Sequence, residues 1–595
     1  MMKTAEKHIA HVEELRCVMA DEGIDLWYDS GSDPHLGEYV PDHWQTRKWL
    51  SGFSGSAGTL VVTRDFAGLW TDSRYFIQAE KELAGSGITL FRYGNPGVPS
   101  VEEYIVKKLP PKSVIGFNGT CLSATKVKTW HKFFIEKDYV YQGNLDLVGC
   151  IWSERPSLPH YPAYRYIMDY AGEGSSQKIN RIRKYLLENH TEGILFTLLD
   201  EIAWILNVRG RDVEYNPLIV SYLWMDRHRI IWFIDPEKVP EDLDSELRDE
   251  GVTFKHYEDV HKMLPELCSG QHVLIDTERT SSFHEHLIRK SAHKVIEGES
   301  PAALFKSVKN HVEQNGIRSA HIRDGAAMVR WMAWLYKAVK HEKHTEITIA
   351  DQLEKFRSEQ PLFRGLSFST IAGYGEHGAI VHYSAKEKTA SVIKPKGILL
   401  VDSGGQYLDG TTDITRTIAL SAPTADQKKH FTWVLKGMIN LSRAVFPVGT
   451  TGANLDILAR KFLWQEGLNY GHGTGHGVGC FLNVHEGPQR ISLKSDVPLQ
   501  AGMLMSNEPG IYFEGKYGIR IENLILCRES SKKGFLEFET ITLCPIDISL
   551  IDAKLLTPEE KQWLNTYHAR VRKKISPLLT EEEQQWLMKQ TREIS

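Results

Sequence analysis

Apolar and polar positions alternate along this chain in three successive styles. The first stretch, MMKTAEKHIAHVEELRCVMADEG, spaces its apolar residues at helical intervals among charges and predicts an amphipathic helix. Short strand-like runs follow, TLVVT and GLWTDS, then a glycine-rich turn GFSGSAG and a helix ending before the strand KSVIGFN. This alternation predicts an α/β domain over residues 1–160, closed by the proline-punctuated linker WSERPSLPHYPAY. A second α/β round over 161–303 opens with the helix QKINRIRKYLLENH and continues through GILFTLLDEIAWILNVRG and the strands RIIWFI and HVLIDT. The like layout of the two rounds suggests a duplicated scaffold.

The third style begins after Glu299, Ser300 and Pro301, where Ile317, Ala320, Met328, Trp331 and Leu335 recur at helical spacing and predict one long opening helix. The domain it opens is set at 304–595. Its tail carries two helix-start signals, Thr557-Pro558-Glu559-Glu560 and Thr580 to Glu583, so the chain is expected to end on helices.

Length agrees with several domains, because 595 residues exceed what one core organises, a limit near ~250–300 residues. A composition 42% hydrophobic and 25% charged excludes wholesale disorder. Seventy-one basic against 76 acidic side chains give a net charge of -5, which offers no general attraction to nucleic acid or an anionic membrane. The N-terminus lacks a signal-like apolar run, and no stretch reaches the ~18–20 apolar residues of a membrane span. Seven scattered cysteines without a CxxC pair point to reduced thiols, with Cys480 singled out by its closeness to histidines. These features together predict a soluble cytoplasmic protein.

Candidate chemistry sits in three segments of the last domain. In GILLVDSGGQYLDGTTDITRTI a strand reaches Asp402 and the chain returns through Asp413, facing two carboxylates across a hairpin. Aspartates in turn-rich sequence are ordinarily turn formers, so this pair needs a second site. GHGTGHGVGC sets His472 and His476 among five glycines, which allow close approach to a bound ion but match no phosphate-binding loop. SNEPGIYFEGKYGIRIENLIL repeats the hairpin device, with Glu508 before a Pro-Gly turn and Glu522 on the returning strand beside Arg520. Two carboxylate pairs buried together would repel, and two divalent ions supply the balancing charge.

The ordered set Asp402, Asp413, His476, Glu508 and Glu522 resembles the ligand set of the pita-bread metallopeptidases, among them methionine aminopeptidase, prolidase and aminopeptidase P. The flanking motifs GAIVHYS, GHGTGHGVG, VHEGP and NEPGIY, with TDSRYF in the first domain, resemble Xaa-Pro aminopeptidases of the long, three-domain cytosolic type. The resemblance implies two creatinase-like N-terminal α/β domains followed by an α+β pita-bread catalytic domain. It implies hydrolysis of the N-terminal Xaa-Pro bond by a metal-bridged hydroxide, with Asp413 and Glu522 bridging the ions, Asp402 chelating one, and His476 with Glu508 completing the other. Catalytic roles then fall to Glu508, His382 and His485. Substrate contacts fall to His382, His472, His485, Arg520 and, through a neighbouring subunit of a homodimer, Arg74. Hard oxygen ligation and the resemblance favour Mn2+, while Zn2+, Co2+ and Fe2+ also fit the donors. The partners expected are peptides with proline at position 2. A prolidase-type dipeptidase and a non-catalytic pita-bread binding protein are the alternatives; the first is disfavoured by chain length and the second by the intact ligand set.

Overall fold

The computed structural model describes the backbone of residues 2–595 and side chains from residue 5, in two compact units. One comprises the chain up to Tyr166 with Glu173–Ala303; the other comprises Ile167–Gly172 with Leu304–Ser595.

The first unit contains two six-stranded sheets. In the first, the strand order is Thr89–Arg92, Ala67–Thr71, Thr59–Thr63, Leu26–Asp29, Val114–Phe117, Val140–Gln142. In the second it is Val252–Lys255, Ile230–Phe233, Tyr222–Asp226, Gly193–Phe196, His272–Ile275, Lys294–Glu297. Both sheets have an antiparallel centre flanked by parallel pairs, with the same directions at each position. The expected duplication of layout is therefore visible in topology. Helix Met2–Asp21 packs Val12, Leu15 and Met19 into the core of the first sheet, as its apolar spacing predicts.

The second unit opens with the 31-residue helix His311–His341, started by a capping box on Asn310 and Glu313. Antiparallel strands follow: Ile371–Tyr374, Ile398–Ser403 and Ile414–Ala419 in one sheet, and a hairpin of Gly510–Phe513 with Tyr517–Arg520. A six-stranded sheet runs Val445–Pro447, Phe535–Thr540, Asn523–Glu529, Leu504–Asn507, Gly475–Gly477, Glu486–Ile491. Helices Ala425–Ser442 and Gly452–Trp464 cover these strands. Val329, Ile398, Val434, Met438, Leu463, Ile519, Leu564 and Val571 close the main core, each near full burial and each contributing roughly 1.5–3 kcal/mol of burial energy. The tail forms helices Pro558–Ile575 and Glu581–Gln590, both begun by the capping boxes its sequence announces.

Two local expectations are refined. Pro509-Gly510 is not the hairpin turn, since Gly510 already pairs with Arg520 and the chain reverses at Glu514 to Lys516. Glu522 consequently lies between two strands, after Tyr517–Arg520 and before Asn523–Glu529. Cys480 is a buried core side chain beside Ile317 and Val478, with its thiol directed at the Asp409 carbonyl. No helix among the described residues is long and apolar enough to cross a membrane.

Candidate metal centre

Strand pairing carries four carboxylates and an imidazole to one place in the second unit. Asp402 stands opposite Thr415 near the end of Ile398–Ser403, and Asp413 immediately precedes the partner strand. Thr415 also receives the backbone N–H of Glu522 at 3.1 Å and donates its hydroxyl to Glu522 Oε2 at 2.8 Å, so one residue ties the two acidic segments together. Glu508 is fixed by its N–H bond to the Thr474 carbonyl at 2.8 Å. His476 occupies the short strand Gly475–Gly477, where the neighbours leave no room for side chains: a Cβ on Gly475 would lie 2.0 Å from the Ser506 carbonyl oxygen. Ser506 Oγ accepts the His476 N–H at 3.0 Å and donates to Glu508 Oε1 at 3.1 Å.

The resulting geometry suits cations. Asp413, His476 and Glu522 each offer one ligand atom within 4.8 Å of the other two. His476 Nε2 stands 3.4 Å from Asp413 Oδ2 and 3.4 Å from Glu508 Oε1, longer than a good hydrogen bond to either. Its Nδ1 lies 2.9 Å from the Gly477 carbonyl, which accepts a hydrogen bond from that nitrogen and leaves Nε2 turned toward the carboxylates. Asp402 Oδ1, Asp413 Oδ1 and Glu522 Oε1 are buried without a hydrogen-bond partner. Three such oxygens are costly to bury unless a cation satisfies them, and this donor set fits divalent metal ions.

Electrostatics agree. Burial, with the charges of Asp413, Glu508 and Asp402, drives the Glu522 carboxyl well above its ordinary range. Burial and Asp413 push Glu508 up to about 7 against the opposing charge of His476, and burial likewise raises Asp402 against the pull of Arg520. His476 is opposed by burial, yet Asp413 and Glu508 hold it up to about 9. Without a metal the imidazolium supplies positive charge; a bound ion would replace its proton.

Arg520 anchors the acidic side. Its Nη2 donates to Asp402 Oδ2 at 2.6 Å, its Nε to Thr415 Oγ1 at 3.2 Å and its Nη1 to the Tyr512 hydroxyl at 2.7 Å. That hydroxyl lies 2.8 Å from His472 Nε2, while His472 Nδ1 faces the Gly473 carbonyl at 2.7 Å, so Tyr512 donates to a neutral His472. Burial and the nearby Arg520 lower the His472 pKa to about 3.

The remaining sequence candidates divide by place. The His485 ring stands edge-on to that of His476, centroids 4.2 Å apart. His382 is half-buried just after Gly375–Ala379, within electrostatic reach of His472. Arg74 belongs to the first unit, where Asp72 takes its guanidinium through bonds of 2.9 and 2.7 Å. Sequence reasoning missed Thr415, Ser506 and Tyr512. It also missed Arg416, whose buried guanidinium holds the Glu522 carbonyl at 2.6 Å and Asn523 Oδ1 at 2.8 Å. The only available signal was the D-x-T-R run from Asp413 to Arg416, which sets Thr415 two residues beyond a candidate ligand.

Comparison with known proteins adds an independent line. Residues 315–529 match the model of metallopeptidase family M24, and 534–594 match the C-terminal region of that peptidase. Residues 11–141 and 154–313 each match a creatinase/prolidase N-terminal domain. The chain is 41% identical over 591 residues to a probable Xaa-Pro aminopeptidase P of Coprinopsis cinerea, covering 95% of this chain and 94% of the relative. It is 40% identical to aminopeptidase P2 of Arabidopsis thaliana, over 93% and 84% respectively. A solved X-prolyl aminopeptidase from Caenorhabditis elegans, described as a cytosolic enzyme with a di-nuclear active site, superposes with a TM-score of 0.95 at 35% identity, covering 99% of this chain and all of that one.

Proposed function

Because this chain belongs to the Xaa-Pro aminopeptidases of metallopeptidase family M24, we propose that it hydrolyses the first peptide bond of peptides whose second residue is proline. The observation that carries the chemistry is the set of buried, unpartnered carboxylate oxygens on Asp402, Asp413 and Glu522, with Asp413 and Glu522 each offering an oxygen within 4.8 Å of a His476 ring nitrogen. In this reading the five residues would hold two divalent ions, with Asp413 and Glu522 serving both, Asp402 one of them, and His476 with Glu508 the other. When bound, such ions act as Lewis acids and lower the pKa of water from ~15.7 toward ~7.

The chain's own residues do the rest. Glu508, whose Oε1 lies 3.4 Å from His476 Nε2, accepts a proton during attack and returns it to the departing nitrogen. Arg520 orients the Asp402 carboxylate, leaving that acidic edge to receive the substrate's free amine and so restrict cleavage to the first residue. His382 donates to the scissile carbonyl as negative charge develops there. His485, set edge-on against His476, contributes to the proline pocket. A bond before proline carries no N–H, so a site selecting it must read ring shape. Manganese is the proposed native ion, supported by a donor set of four carboxylates and one imidazole. Cytoplasmic residence is proposed on the likeness to the cytosolic relative.

The test is hydrolysis of Arg-Pro-Pro by protein stripped with chelator and refilled with Mn2+, beside Ala-Pro and a proline-free tripeptide. Release of arginine from Arg-Pro-Pro alone is expected. Cleavage of Ala-Pro alone would make the chain a dipeptidase, and silence on all three would refute the assignment.

A further inference from the structure

The glycine-rich segment presenting His472 and His476 ought to be the loosest part of the site. Glycine loses more conformational freedom on ordering than any other residue, and glycines alternate here at 471, 473, 475 and 477. Yet the segment is gripped from one side by a single helix, Gly452–Trp464. Asp456 and Arg460, one turn apart on that helix, form an ion pair of 2.6 Å with 0% and 3% side-chain exposure. Arg460 spends its other N–H groups on the loop: Nη1 on the carbonyl of Tyr470 at 2.8 Å and on Asn469 Oδ1 at 3.0 Å, Nη2 on the carbonyl of His472 at 2.8 Å. Its guanidinium also covers the Tyr470 ring, 3.9 Å from the centroid.

The second carboxylate oxygen of Asp456 accepts the Thr474 hydroxyl at 2.6 Å. With that proton committed, the Tyr470 hydroxyl 2.5 Å away must donate to Thr474 Oγ1, giving a directed chain from Tyr470 through Thr474 to Asp456. Thr474 then delivers the constraint to the site, because its carbonyl receives the Glu508 N–H and it lies two residues from both His472 and His476. A buried ion pair is weak evidence for stability in itself, since desolvation offsets most of its attraction. What distinguishes this one is where its bonds end: on the backbone groups that set His472 and Glu508.

We propose that Asp456, Arg460 and Thr474 are positioning residues, a buried clamp that holds Glu508 through the Thr474 carbonyl and the glycine-rich segment leading into His476, and so sets the spacing of those two residues for metal binding. The inference rests on the assignment of those two residues as metal ligands. All three side chains are buried and act through the loop backbone. Losing such outer partners typically costs about 10–100-fold in metal affinity or activity.

Thr474→Val keeps the shape and deletes the hydroxyl, while Thr474→Ser restores it. The readouts on the full-length protein are Mn2+ affinity by chelator competition, the kcat and KM for Arg-Pro-Pro, and the melting temperature. For Thr474→Val the clamp predicts about 10–100-fold weaker Mn2+ binding and a kcat lowered by a similar factor with KM nearly unchanged. Thr474→Ser should stay within about twofold of the parent in both. Arg460→Met serves the same test should Thr474→Val fail to fold. A lowered melting temperature with unchanged Mn2+ affinity and kcat would overturn the proposal and reduce the network to scaffolding. A parent protein that binds Mn2+ but leaves Arg-Pro-Pro uncut would sink the peptidase assignment, while the affinities still judge the clamp. A parent that binds no Mn2+ would sink both.

Discussion

Single residues at the centre titrate in the same direction. Glu508 is raised from 4.5 to about 7 in the folded chain, so the stability tied to its proton is fully present below pH 4.5 and lost as pH rises through 7. His476 is raised from 6.5 to about 9, and the stability from its charge is present below pH 6.5 and lost as pH rises through 9. Chelator-treated protein should therefore melt at progressively lower temperature between pH 5 and pH 9, whereas saturating Mn2+ should abolish that decline, because metal ligation favours the deprotonated groups. Paired melting series with chelator and with Mn2+ check this; a flat chelated profile would contradict it. Metal binding at neutral pH should also release protons, seen by calorimetry in buffers of different ionisation enthalpy. The candidate ligands were named from the ordered set of five and its likeness to a family pattern, because each aspartate taken alone reads as a turn former. Thr415 and Ser506 were not, since a hydroxyl becomes informative only when the acid it bonds is known to be beside it.

At the scale of elements, legibility follows locality. The capping boxes at Thr557 and Thr580 need only four consecutive residues, and both helices start where they predict. The strand Gly475–Gly477 is three residues long and rich in glycine, so no alternation announces it. Farther from view still is Glu486, next to His485, which accepts from two buried lysines, Lys306 at 2.8 Å and Lys309. Lys306 and Glu486 are 180 positions apart in the chain. Glu486→Gln removes the buried carboxylate that Lys306 and Lys309 both meet and should cost about 3–5 kcal/mol in urea unfolding. Thr557→Ala removes one cap and should cost about 1 kcal/mol. Equal costs would show that the Lys-Glu-Lys group is not held as described.

Across the whole molecule, the two sheets of the first unit share strand order and direction, and like topology was readable because each round alternates helices with strands. The five candidate ligands all lie between 402 and 522, within the second unit. Stripping the metal should therefore raise hydrogen exchange in peptides spanning 398–419, 472–486 and 504–523, and leave peptides of the first unit's sheets unchanged. Uniform exposure along the chain would place the stabilising effect elsewhere.

Asp402, Asp413, His476, Glu508 and Glu522 together are assigned to two divalent ions. Equilibrium dialysis against Mn2+ with elemental counting tests this assignment most directly, comparing the parent with Asp413→Asn, which alters a residue assigned to both ions. Two ions per parent chain and a marked loss of both in the variant are expected. One ion or none in the parent, or two retained in the variant, would contradict the assignment.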